Sequence, residues 1–173
     1  MLTKEKDVLQ VSFNQQTYSF EKGNIYGLKP EQTDMLMKVA LSSPDVFYFE
    51  SQSWFDTNLL GLDYLKYIKN IWKSDKELEE AIHYWELSAI IDMPIRSYSL
   101  GEKQRLIAAL YQLSDAQIIV INNFLVRMDG YFQRKLFDLI LLLREESKTI
   151  ILSYQYEEKL GAIVDVFIKD EPL

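Results

Sequence analysis

A chain of 173 residues, 48% hydrophobic and 26% charged, suits one globular domain with a core of its own. Its net charge of −7 argues against nucleic acid as a partner, because nothing here would release counterions from a phosphate backbone; the absence of cysteine removes disulfides and thiolate chemistry. The single histidine, His83, cannot make a metal site by itself, no apolar run reaches the roughly 20 residues a membrane-crossing helix needs, and the opening MLTKEKDVLQ is not patterned as a secretory signal. The expectation is a cytoplasmic chain without direct membrane insertion, tied to a membrane only through a partner.

Taken in order, residues 8–28 read as strands, with turns at Asn14-Gln15-Gln16 and at Glu21-Lys22-Gly23-Asn24. A helix is predicted over 31–42, with Met35, Leu36, Val39 and Ala40 on one face, then a strand at Val46-Phe47-Tyr48-Phe49. From 56 to 88 the pattern is helical: Leu62, Leu65, Ile68, Ile71 and Trp72 share a face, and Ala81, Ile82 and Trp85 continue it in a second, more acidic helix. The acidic run 75–80 reads as a solvated face and His83 as a surface or half-buried side chain. After a loop at Met93-Pro94, Ser99 and Glu102 form an S-x-x-E capping box opening a helix whose apolar face is Leu106, Ala109, Leu110 and Leu113. The unbroken strand Ile118-Ile119-Val120-Ile121 follows, then a helix over 129–146 facing the core through Leu136, Leu139, Ile140 and Leu143. A strand at 149–152, a short helix near 157–163 and a strand at 166–168 complete the chain. Continuous apolar strands alternating with helices predict a parallel sheet covered on both faces.

The order of these pieces resembles an ABC-transporter nucleotide-binding domain over nearly the whole chain. Tyr98-Ser99-Leu100-Gly101-Glu102-Lys103-Gln104-Arg105 stands where the family's LSGGQ-type signature opens a helix, and the 118–121 strand stands as Walker B. Gly23-Asn24-Ile25-Tyr26-Gly27-Leu28 and Leu36-Met37-Lys38 match the flanks of the family's phosphate loop. The resemblance implies a P-loop NTPase-like α/β fold: a mostly parallel sheet with an N-terminal antiparallel part, plus a small helical lobe. It implies a single domain over 1–173, with 1–55 and 98–173 as the α/β core and 56–97 as the lobe.

Against that family the chain departs where a subunit handles its own nucleotide. A G-x-x-x-x-G-K-[ST] loop wraps phosphates with consecutive amides, supplies a lysine and holds magnesium through a hydroxyl. Only LKPEQTDM, without a glycine, lies between Gly27 and Leu36, and Thr33 and Asp34 stand where the resemblance places the lysine and its hydroxyl neighbour. Pro30-Glu31 reads simply as a helix start, with Glu31 and Asp34 complementing its dipole. Asn122 and Asn123 replace the Walker B Asp and the catalytic Glu, so the metal ligand loses its charge and the base is gone. Gln155, in Leu152-Ser153-Tyr154-Gln155, replaces the switch His and cannot relay a proton.

Residues that reach across a dimer to the partner's ATP are retained: Ser99 and Gly101 of the signature, and Asp129, which matches the D-loop. Gln52 matches the Q-loop, and Trp54-Phe55 beside it read either as a docking patch or as core filling. Leu100 in the third signature place resembles the bacitracin/lantibiotic-type peptide exporter and immunity group, and the charge of Glu102 would weaken contact with ATP. The implied function is an inactive subunit, with no catalytic residue, no metal and no nucleotide of its own. It would pair with an ATP-competent subunit, touch ATP and magnesium only through that partner, and dock on a transmembrane subunit at the inner face of the cell membrane. The alternatives are a regulatory or binding protein that keeps the fold as a scaffold, and a slow ATPase with an atypical phosphate loop.

Overall fold

The computed structural model describes residues 2–5, 8–13, 16–34, 43–49, 51–122, 128–153 and 161–168. The chain divides into two units, one of residues 1–48, 116–124 and 140–173, the other of 49–115 and 125–139.

In the first unit β1 (Leu2–Glu5), β2 (Val8–Phe13) and β3 (Gln16–Glu21) form an antiparallel sheet in that order. Gly23, at φ +79°, turns the chain into β4 (Ile25–Leu28), a left-handed conformation that suits a residue lacking Cβ. β4 belongs to a second sheet with β5 (Val46–Tyr48), β6 (Ile118–Ile121), β7 (Thr149–Ser153) and β8 (Val166–Phe167). The order is β5-β6-β7-β4-β8 and each neighbouring pair is parallel. Every residue of β4, β6 and β7 is buried, as strands covered on both faces must be. Ile118 and Val120 join Leu9, Phe20, Tyr26, Leu28 and Ile151 in one apolar cluster, so the antiparallel sheet covers one face of the parallel sheet. Ile119 and Ile121 alternate to the opposite face and are buried there. This is the mostly parallel α/β arrangement with an antiparallel N-terminal part that the sequence predicts.

Because β4, β6 and β7 run side by side in one direction, their C-terminal ends share one edge, where open parallel sheets take ligands. Helix α1 opens at Pro30, directly after β4, and is described to residue 34. Met35, Leu36, Val39 and Ala40 lie outside the described residues, as does most of the helix expected near 157–163, of which 161–163 is a turn.

The second unit is helical: α2 (Gly61–Trp72), α3 (Leu78–Tyr84), α4 (Leu100–Leu113) and the start of α5 (Gly130–Glu145), with 3-10 turns at Gln52–Trp54 and Ile95–Ser97. Leu106, Ala109, Leu110 and Leu113 of α4 are all buried, as are Ala81 and Trp85, whose indole Nε1 donates to Gln112 Oε1 at 2.8 Å. Helix begins later than 56, since residues 56–60 are held as turns and a bridge from Leu60 to Pro94. Ile71 does not face the core, being 54% exposed. The buried stripe of α2 runs through Gly61, Leu65 and Ile68, the i, i+4, i+7 positions, and leaves Ile71 to one side. His83 is exposed, and so are Asp75, Glu77, Glu79 and Glu80.

Candidate functional site: strand ends and two helix starts

At the sheet edge the decisive geometry is the turn from β4 into α1. Gln32 N and Thr33 N both donate to Lys29 O, at 3.1 and 3.0 Å, and Lys29 N donates to Gln32 Oε1 at 2.9 Å. Thr33, fully buried, turns its hydroxyl onto the same Lys29 carbonyl at 3.1 Å. Pro30 has no N–H to offer. The helix start therefore satisfies its own donors, with Lys29 in the N-cap place and Gln32 reaching back as in half a capping box. Among the described residues of this turn the amides of Lys29, Gln32 and Thr33 are thus taken, and Glu31 and Asp34 add two exposed carboxylates. These residues do not fit a magnesium triphosphate.

Beside it, Asn122 follows β6 and donates through Nδ2 to Tyr48 Oη at 3.2 Å, while its Oδ1 and the hydroxyl of Ser153, at the end of β7, are buried without a hydrogen-bond partner among the described residues. Ile121 pairs with Leu152, so these two groups end neighbouring strands in step. A carboxylate at 122 would need a cation to be stable here; the neutral amide needs none. Asn123 and Gln155 lie outside the described residues.

In the helical unit Ser99 caps α4. Its Oγ accepts from Glu102 N at 3.2 Å and Glu102 Oε2 accepts from Ser99 N at 2.6 Å, the reciprocal box the sequence predicts. Ser99 is exposed, and its hydroxyl, which accepts from the Glu102 amide, also donates to the Glu102 carboxyl. Leu100 and Gly101 amides are the first of the helix and have no intrahelical acceptor. Around Gly101 a Cβ would meet nothing within 4 Å, so folding alone does not explain the missing side chain. Glu102 competes with any anion: the Ser99 backbone N–H first, with the Ser99 hydroxyl and Arg105 helping, holds its carboxyl below the ordinary range against the opposing effect of burial. Gln52 Nε2 donates to Leu100 O at 3.2 Å, tying the expected Q-loop residue to the signature turn.

Behind the cap, Tyr98 is buried and its hydroxyl donates to Ile90 O at 2.7 Å; burial pushes its pKa up to about 12, so it stays a donor at any ordinary pH. Asp129, exposed, caps α5: its Oδ1 accepts from the amides of Tyr131 and Phe132, each at 3.0 Å. Trp54 is 39% exposed whereas Phe55 is buried against Phe49 and Tyr64 at 4.8 and 4.9 Å, so the two neighbours divide between surface and core. Sequence reasoning missed the self-capping by Gln32 and Thr33. A proline followed two places on by glutamine was the available signal. It also missed the cluster around Glu86 described below. Among the described residues no group of His, Asp or Glu is arranged to hold a metal ion, and no helix is long and apolar enough to cross a membrane.

No family model matches the chain. It is 29% identical over 118 residues to the polysialic acid transport ATP-binding protein KpsT of Escherichia coli, a match spanning 66% of this chain and 53% of that protein. It is 33% identical over 75 residues to the O-antigen export system ATP-binding protein RfbB of Myxococcus xanthus, over 43% of this chain and 17% of that one. The chain thus spans about half the length of the first relative and less of the second. A solved Pyrococcus furiosus structure of an ABC transporter ATP-binding protein superposes with a TM-score of 0.69 at 18% identity, covering 96% of this chain and 92% of that one. The chain is thus similar in sequence, over part of its length, to ATP-binding proteins of ABC transporters, and it shares their fold.

Proposed function

We propose that the chain is a catalytically inactive nucleotide-binding subunit that pairs with an active ATPase subunit and lends Ser99, Gly101 and Asp129 to that subunit's ATP. The observation that carries this reading is the turn at 29–33, where Lys29, Gln32 and Thr33 spend on one another the donors that an anion would need. The exposed position of Ser99 at the start of α4 and the open space over Gly101 support the partner-facing half. ATP and magnesium enter only through the partner, and the pair docks on a transmembrane subunit at the cytoplasmic face of a membrane.

The cargo class follows from two different features. Leu100 in the signature supports antimicrobial-peptide export or immunity. The first relatives, named for polysialic acid transport and O-antigen export, support a surface polysaccharide instead. Identifying the transmembrane subunit that co-purifies from native membranes separates the two.

The test of pairing is Ser99→Ala. In the assembled complex it lowers the partner's ATPase rate about tenfold, a loss of on the order of 1.4 kcal/mol for one phosphate-directed hydrogen bond. An unchanged rate favours the scaffold alternative, in which the fold serves regulation or binding outside transport. Micromolar, magnesium-dependent ATP binding by the chain alone would instead favour a slow ATPase.

A further inference from the structure

We propose that Glu86 is a positioning residue: its carboxylate and the turn it sits on clasp the start of α5 to α4, so that Asp129 and the signature are held as one body. Glu86 has φ +53°, in the left-handed region where glycine is at home and a side chain is strained. A glutamate there calls for a use of the side chain. Its Oε1 accepts from Tyr131 Oη at 2.9 Å and from Lys135 Nζ at 3.1 Å, both on the first turns of α5. Lys135 Nζ donates in addition to Tyr84 O at 2.6 Å, and Tyr84 Oη returns a bond to Lys135 O at 3.1 Å. From the other side, the Arg105 guanidinium of α4 donates to the Trp85 and Glu86 carbonyls at 3.3 and 3.1 Å and lies 4.6 Å over the Phe132 ring.

One turn thus takes α5 on its side chain and α4 on its backbone, through charge-assisted bonds that are stronger and better aimed than neutral ones. Asp129 Oδ1 bonds the amides of Tyr131 and Phe132, so fixing Tyr131 fixes Asp129. Arg105 lies on the same helix that Ser99 caps, so fixing Arg105 fixes the signature. Elements far apart in sequence are joined at one glutamate.

Hydrogen exchange on the full chain tests the clasp at the amides of Glu102 and Lys103 and at those of Phe132 and Gln133, all bonded in the native state. Glu86→Gly relaxes the turn while deleting the carboxylate, and exchange is expected to rise by on the order of tenfold at both helix starts together. Glu86→Gln, which keeps an acceptor, retains most of the protection. Tyr131→Phe, a milder change at an exposed site, raises exchange less but again at both starts. If Glu86→Gly leaves either start as protected as before, or loosens α5 alone, the clasp is overturned. Its consequence for a partner's ATP rests on the pairing reading, whereas its existence does not. Loosening at both starts without any change in partner turnover therefore counts against the pairing and leaves the clasp standing.

Discussion

Two glycines of the helical unit are absent of side chain for opposite reasons, and the difference is measurable. A Cβ at Gly61 would collide with the Tyr98 hydroxyl and lie 3.1 Å from Ile91 Cδ1, and that hydroxyl cannot retreat without giving up Ile90 O. Gly61→Ala should therefore destabilise the chain by about 1–3 kcal/mol, the usual range for overpacking, read as a lower urea midpoint. Gly101 meets nothing, and alanine is the better helix former by up to about 1 kcal/mol. Gly101→Ala should leave the chain as stable or more so, yet lower the partner's ATPase rate in the complex, since the methyl group then stands where the proposed nucleotide approaches. A destabilised Gly101→Ala variant would make this glycine structural and remove one support for pairing.

At the scale of elements, α4 carries both a structural cap and the proposed contact, and Glu102 sets them against each other. Its carboxyl titrates below the ordinary 4.5, because the Ser99 amide bonds the charged form. A lowered folded pKa adds stability that is present above the ordinary value and is lost as pH falls through the lowered one. Glu102→Gln keeps an acceptor for the amide but removes the charge, so the difference in stability between wild type and variant should shrink as pH drops below 4.5. In the complex at neutral pH the same variant should raise the partner's ATP affinity by roughly two- to fivefold, the effect of about 0.5–1 kcal/mol for one charge at a helix end. A fall in affinity would place the γ-phosphate elsewhere. This element shows what sequence reading recovers: the S-x-x-E pattern and the Leu106, Ala109, Leu110, Leu113 stripe are local and periodic, and both stand in the structure. Ile71 was misplaced because periodicity marks a broad face while packing uses a narrower stripe. The Glu86 clasp was unreadable, since nothing local brings residues 86, 105 and 135 together.

For the whole molecule the question is how many nucleotides a pair of subunits holds. Two features of the first unit act in one direction: the Lys29 turn consumes its own donors, and Asn122 brings no charge to the end of β6; the whole chain's net charge of −7 also opposes a triphosphate. In the second unit Ser99 still caps α4 and Asp129 still orders α5. On the proposed pairing, loss of donors in the first unit with retention of the signature in the second sets a stoichiometry. A complex with an active partner stalled by removing its catalytic base should trap one ATP per pair of subunits, counted after gel filtration in magnesium. Calorimetry of this chain alone with Mg-ATP should then show no binding at concentrations that saturate the partner. Two trapped nucleotides per pair would mean that residues 28–35 rearrange around a phosphate on pairing. That would require Lys29 O to release Gln32 N and Thr33 N, about 0.5–1.5 kcal/mol for each bond, recovered only if the freed amides all find phosphate oxygens.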